Sequence, residues 1–224
     1  MQLAAGGQPG AGVAGPYGVM LWAVSGLALY LLLGIASVFL TLIADPLLGA
    51  VGLPVEAGEL GLAVRNALHP PVWGLLVAAA AIPIGRRLVP GIRFSRHSWL
   101  VLLAGLLLAA VTWLLIEEFV RARMASFDME YVGFTILTWP ALVAIALCGW
   151  AALAAPRGSN AALVVPLVLA TVGLSVALLP SVAGAADGIA AQNLHLAFVF
   201  LVDVLYAMLV IVLAFRRAAP RSRG

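Results

Sequence analysis

The chain has 224 residues, of which 64% are hydrophobic and 9% are charged. Soluble domains carry about 25% charged residues, so this composition excludes a water-soluble globule and predicts an all-α integral membrane protein. The net charge of +3 comes from twelve Arg, with no Lys, and these arginines cluster between apolar segments. We therefore expect the lipid bilayer as a partner and no nucleic acid.

Six apolar segments, each long enough to cross a bilayer, predict a bundle of six transmembrane helices between residues 19 and 217. They lie at about 19–44, 67–85, 98–117, 131–154, 162–182 and 195–215. Residues 1–18 are rich in Gly, Ala and Pro without a basic side chain, which indicates a flexible cytoplasmic tail rather than a secretory signal. Residues 218–224 form a basic cytoplasmic tail.

The connection between the first two spans is the longest in the chain. Leu60, Val64 and Leu68 recur there at helical spacing, which predicts a short amphipathic helix on the membrane surface in the first outer loop. The second span is the least apolar and begins with His69-Pro70-Pro71, so a re-entrant segment is an alternative to a full crossing.

The distribution of arginine predicts the orientation. The loop from Arg86 to His97 contains four arginines and no acid, which marks it as cytoplasmic under the positive-inside rule. Alternation of the six spans then places nine of the twelve arginines inside, and both termini are cytoplasmic. We expect a multi-pass protein of a cell membrane, of the prokaryotic cytoplasmic type.

Asp203 is the formal charge at membrane depth, within the sixth span. A buried ionisable residue there costs about 2.5–3.5 kcal/mol on insertion scales, which makes it a candidate functional group. Tyr206 lies one turn away, and counting residues from the span ends predicts a polar layer around the acid. Its candidate substrate- or proton-binding members are Asp203, Tyr206, Thr138, Thr112, Ser175 and Ser37. No Arg, Lys or His is expected at that depth, which favours a proton- or cation-linked site. The alternative is that Asp203 only joins helices.

A second group of polar residues is predicted at the outer boundary: His69, His195, Asp45, Glu117 and Glu118. These side chains are suitable ligands for Zn or Cu, and two histidines on different helices could hold a b-type haem. No metal-binding spacing supports the group, and polar residues also end helices at interfaces. The six tryptophans mostly lie near span ends, where they are expected to anchor at the interface.

Three classes of function follow from these patterns. The first is a small transporter, channel or substrate-capture component that works around Asp203. The second is a non-catalytic subunit of a larger membrane complex, such as a respiratory or transport complex. The third is a haem- or metal-binding redox protein that uses His69 and His195. The sequence contains no phosphate loop, dinucleotide fingerprint or soluble catalytic domain, which favours a protein that is not an enzyme.

Overall fold

The computed structural model describes residues 16–50, 58–123, 129–158 and 190–219, which form five helices. They are α1 (Pro16–Ala50), α2 (Gly58–Leu88), α3 (Arg96–Arg123), α4 (Met129–Ala154) and α5 (Ala190–Ala218). None of these residues lies in a strand. Helix α5 contains the predicted sixth span, whereas the predicted fifth span and most of both predicted tails lie outside the described residues.

Three helices contain apolar stretches long enough to cross a membrane. These are His69–Leu88 in α2, Arg96–Leu115 in α3 and Ala197–Arg217 in α5. At 1.5 Å per residue, each is long enough to span the roughly 30 Å hydrocarbon core. Shorter apolar stretches occur in α1 (Tyr17–Leu33) and α4 (Ala141–Ala154). The protein is thus all-helical in its described part and has the apolar helices of a membrane protein.

Helix α2 corrects the prediction of a separate amphipathic surface helix. The stretch that contains Leu60, Val64 and Leu68 forms the first turns of α2, and the helix continues through Pro70, Pro71 and Pro83. A proline removes one backbone hydrogen bond, but neighbouring helices in a bundle can compensate for the loss. The two patterns that we assigned to separate elements therefore belong to one helix.

The packing places α3 between α2 and α4, while α1 contacts α2 and α4. Helix α5 packs on α4 and α3. A side chain at Gly149 of α4 would meet Val210 of α5, which shows that the carboxyl-terminal halves of these two helices lie side by side. Helices α1 to α4 alternate in direction, and α5 runs parallel to α4.

The carboxyl-terminal ends of α2, α4 and α5 meet the start of α3, and we call this part of the molecule the basic end. Arg93 N donates to the Ala154 carbonyl at 2.9 Å, and the Arg217 guanidinium donates to the Ala155 carbonyl at 2.9 and 3.1 Å. The arginines of this end are Arg86, Arg87, Arg93, Arg96, Arg157, Arg216 and Arg217.

Four aromatic rings pack beneath the basic end and form what we call the basic-end aromatic cluster: Trp22, Phe94, Trp99 and Trp150. Phe94 stacks on Trp150 with 5.0 Å between ring centroids, and Trp22 and Trp99 pack against both. Trp22 and Trp150 are only 1% and 2% exposed. The expectation that the tryptophans anchor at the interface is therefore wrong for these two, which join helices instead.

Candidate functional site

The pair formed by Asp203 and Thr112 is the centre of the candidate site. Both side chains are 0% exposed, although one belongs to α5 and the other to α3. The Thr112 hydroxyl lies 2.9 Å from Oδ2 and 3.1 Å from Oδ1 of Asp203, so it can donate to either carboxyl oxygen. The predicted proximity of these two residues is thus found in the structure.

The pair lies far from the basic end. Thr112 follows Arg96 by 16 residues and Asp203 precedes Arg217 by 14, which correspond to about 24 and 21 Å along their helices. The antiparallel arrangement of α3 and α5 explains why the two distances agree. Both residues fall inside the apolar stretches of their helices: Thr112 lies three residues before Leu115, and Asp203 lies six residues after Ala197.

Trp139 of α4 is the centre of a second group of rings, which we call the aromatic layer: Tyr30, His69, Trp73, Trp113 and Trp139. The Trp139 ring lies 5.5 Å from Tyr30 of α1, 5.4 Å from His69 of α2 and 5.6 Å from Trp113 of α3, with steep interplanar angles in each pair. His69 also contacts Trp73 at 5.9 Å. Trp113 is adjacent in sequence to Thr112, so the aromatic layer and the Asp203–Thr112 pair are connected through the backbone of α3.

The aromatic layer also shows where the structure places His69. Two ring contacts, through Trp139 and Trp113, connect His69 to the helix segment that holds Thr112. His69 begins the apolar stretch of α2, as expected from the sequence, but it lies eleven residues inside the helix. His69 precedes Leu88, at the basic end of α2, by 19 residues, which is about 28 Å along the helix against about 21 Å for Asp203. The expectation of no basic group at the depth of the acid stays a prediction.

Tyr30 adds a polar atom to this layer. The residue is 1% exposed, and its hydroxyl has no hydrogen-bond partner among the residues that the structure describes. A buried hydroxyl without a partner is costly, and such groups often mark a bound water or ligand in the working protein.

Tyr206 takes a different role from the one predicted. Its hydroxyl donates to the Val101 carbonyl of α3 at 2.6 Å, so it is not directed to Asp203 one turn away. The ring passes over Gly105, where a β-carbon would collide with Tyr206 and with Ala146 of α4. This residue therefore holds α5 against α3 through a position where only glycine fits.

The other predicted site residues lie partly beyond the described structure. Ser175 lies outside the described residues, as do the side chains of Ser37 and Thr138, whose backbones belong to α1 and α4. Of the predicted metal or haem ligands, His69 is the one whose side chain is described. The side chains of His195, Asp45, Glu117 and Glu118 lie outside that part, so the metal group stays a prediction.

Sequence reasoning missed the aromatic layer in which Tyr30, Trp113 and Trp139 pack together. Residue counting from the basic end could have found their level, because Tyr30 and Trp139 lie 14 and 15 residues from Pro16 and Ala154. These distances, about 21 and 22 Å, match that of Asp203.

Comparison of the chain with protein-family models, curated proteins and solved structures finds no match in any of the three.

Proposed function

We propose that the chain is a multi-pass membrane transport protein in which Asp203 is the group that gains and loses a proton or binds a cation. The observation that carries this proposal is the complete burial of the ionisable side chain of Asp203 within the apolar stretch of α5. The single hydroxyl of Thr112 lies within hydrogen-bond distance of both of its carboxyl oxygens. Ionisable residues at such depth are rare and commonly belong to ion or proton pathways.

Thr112 suits a carboxyl group that changes its protonation state. When Asp203 is ionised, the hydroxyl of Thr112 donates to it. When Asp203 is protonated, the acid can donate to the hydroxyl oxygen, because a helical threonine can direct its own proton to the carbonyl four residues earlier. The pair therefore has a hydrogen-bonded arrangement for each state and does not leave a buried polar group without a partner.

The aromatic layer supports a positive rather than a negative species at this level. The faces of Trp113, Trp139 and Tyr30 carry negative quadrupole charge, which attracts cations. The Asp203 carboxylate has the same preference for a positive species. A proton or a small cation fits this environment, whereas an anion would meet repulsion from both the rings and Asp203.

The proposal includes six membrane spans with the basic end in the cytoplasm. The arginines of that end follow the positive-inside rule, and three helices already have the length and apolar character to span. In this orientation the Asp203–Thr112 pair lies in the outer half of the bundle, so protons would reach it over a shorter distance from outside.

Reconstituted vesicles test the proposal directly. A potassium diffusion potential drives protons inward, and a trapped pH-sensitive dye reports their entry; sodium gradients are tested in parallel. We expect Asp203→Asn to abolish the flux that the unchanged protein supports, while Asp203→Glu retains part of it. Infrared spectra should show a carboxylic-acid band that changes with pH and is lost in Asp203→Asn.

The partner residue gives a matched pair of variants. Thr112→Val keeps the shape but removes the hydroxyl, and we expect it to reduce flux about tenfold or more. Thr112→Ser keeps the hydroxyl and should retain most of the flux. Flux that is equal in the unchanged protein and in Asp203→Asn would contradict the proposal and leave Asp203 as a contact between helices.

A further inference from the structure

The arginines of the basic end are not balanced by acids in the described part of the chain. In residues 16–50, 58–123, 129–158 and 190–219, every acidic residue lies in the half of its helix that is remote from the basic end: Asp45, Glu59, Glu117, Glu118, Glu130 and Asp203. Arg217 is half-buried and bound to the Ala155 carbonyl. The other six arginine side chains are exposed, so this surface carries a strong positive charge.

The loop that carries Arg93 is held in a fixed position. Its backbone is bound to Ala154, and the next residue, Phe94, stacks on the buried Trp150. Ser95 and Ser98 then cap the start of α3: Ser98 N donates to the Ser95 hydroxyl, and Ser95 N donates to the Ser98 hydroxyl. Arg93 and Arg96 flank this anchored segment, so their guanidinium groups start from defined backbone positions. Such order lowers the entropic cost of binding a phosphate.

An exposed apolar stripe begins directly beside Arg96. Leu100, Leu103 and Leu107 follow it at intervals of four, three and four residues, so all of them lie on one face of α3. They are 52%, 38% and 59% exposed. A positive group at one end of an apolar stripe about 16 Å long complements a phosphate headgroup joined to an acyl chain.

We propose that the basic end is a binding site for an anionic membrane phospholipid. Arg93 and Arg96 contact the headgroup phosphate, and the stripe of Leu100, Leu103 and Leu107 receives an acyl chain. Guanidinium groups bind phosphate through paired hydrogen bonds, and they do so more strongly where the lipid surface limits access of water. This site is separate from the Asp203–Thr112 pair, and its existence does not depend on transport.

Spin-labelled lipids provide the test, with the full chain placed in phosphatidylcholine bilayers. We expect labelled phosphatidylglycerol to associate more tightly than labelled phosphatidylcholine, by about fivefold for each arginine that contacts the phosphate. The double variant Arg93→Gln/Arg96→Gln should lose most of this preference. Raised salt should weaken it, because these charges are exposed.

The double variant Arg121→Gln/Arg123→Gln is the matched control, because it removes the same charge from the opposite end of α3. We expect it to retain the preference for phosphatidylglycerol. Equal loss in both double variants would show a general effect of net charge and would overturn the proposal. Equal binding of the two labelled lipids by the unchanged protein would also overturn it.

Soluble glycerophosphoglycerol, the headgroup without acyl chains, separates a lipid site from a site for a free phosphate compound. We expect it to compete at least a hundredfold less well than the whole lipid. Competition as strong as that of the lipid would overturn the role of the leucine stripe. Gel filtration and circular dichroism confirm that each variant is folded before its lipid binding is compared.

Discussion

At the scale of single residues, the α3–α5 interface combines two polar contacts with one close approach. Thr112 binds Asp203, and one turn nearer the basic end along α5 Tyr206 reaches the Val101 carbonyl across Gly105. Hydrogen bonds between membrane helices contribute about 0.6 kcal/mol on average, so the tight packing at Gly105 is as important for stability as either polar contact.

Substitution of Gly105 tests this close approach. Gly105→Ala places a methyl group against Tyr206 and Ala146, and we expect it to lower the free energy of unfolding by about 1–3 kcal/mol, because the helices must separate. Unfolding in mixed detergent micelles measures the change.

Gly26→Ala is the matched control for that substitution, since a β-carbon at Gly26 meets no atom within 4 Å. Alanine also favours helix over glycine by about 1 kcal/mol, so this variant should be as stable as the unchanged protein or more so. A destabilisation of the same size in both variants would contradict the role assigned to Gly105.

At the scale of elements, the start of α3 is set by its serine cap. The hydroxyl of Ser95 accepts a hydrogen bond from Ser98 N at 3.2 Å, and the hydroxyl of Ser98 accepts one from Ser95 N at 3.1 Å. This reciprocal pattern resembles a capping box, with serine in place of the usual glutamate. It ends the loop beside the basic-end aromatic cluster and fixes where the span begins.

Removal of the cap should therefore weaken α3. We expect Ser95→Ala to lower the free energy of unfolding by about 0.5–2 kcal/mol, because the amide of Ser98 loses its acceptor. Ser25→Ala is the control: the Ser25 hydroxyl bonds to the Trp22 carbonyl of its own helix, and its loss should change stability by less than about 0.5 kcal/mol. Thermal unfolding of both variants in the same detergent gives the comparison.

At the scale of the whole molecule, the orientation of the basic end can be measured by thiol labelling. Cys148 is buried, and Cys148→Ala provides a background without cysteine. In the His97→Cys variant of that background, the thiol at this exposed position should react with a membrane-impermeant reagent only in inside-out vesicles, because the basic end is expected in the cytoplasm. The residue Ser126, between α3 and α4, should give the opposite result. Labelling of His97→Cys in right-side-out vesicles would contradict the orientation.

Much of the architecture was predictable because it depends on length and composition along the chain. The apolar stretches locate the helices, and residue counting brings Thr112 to the level of Asp203. The direction in which a side chain faces was not predictable, because membrane helices are apolar all round and show no distinct polar face. That is why Tyr206 was assigned to the acid rather than to Val101, and why the contacts of Trp139 were missed. Pro70 and Pro71 made α2 look like two separate elements in the sequence. Whether a proline ends a membrane helix depends on the neighbouring helices, which the sequence does not show.

The burial of Asp203 has a consequence for how the protein is made. Ribosomes synthesise α3 before α5, so in the proposed membrane-spanning arrangement Thr112 reaches the bilayer before the segment that carries the acid. An isolated helix with a central aspartate loses about 2.5–3.5 kcal/mol of insertion free energy. We therefore expect insertion of α5 to depend on the hydroxyl of Thr112, which is synthesised about ninety positions before Asp203.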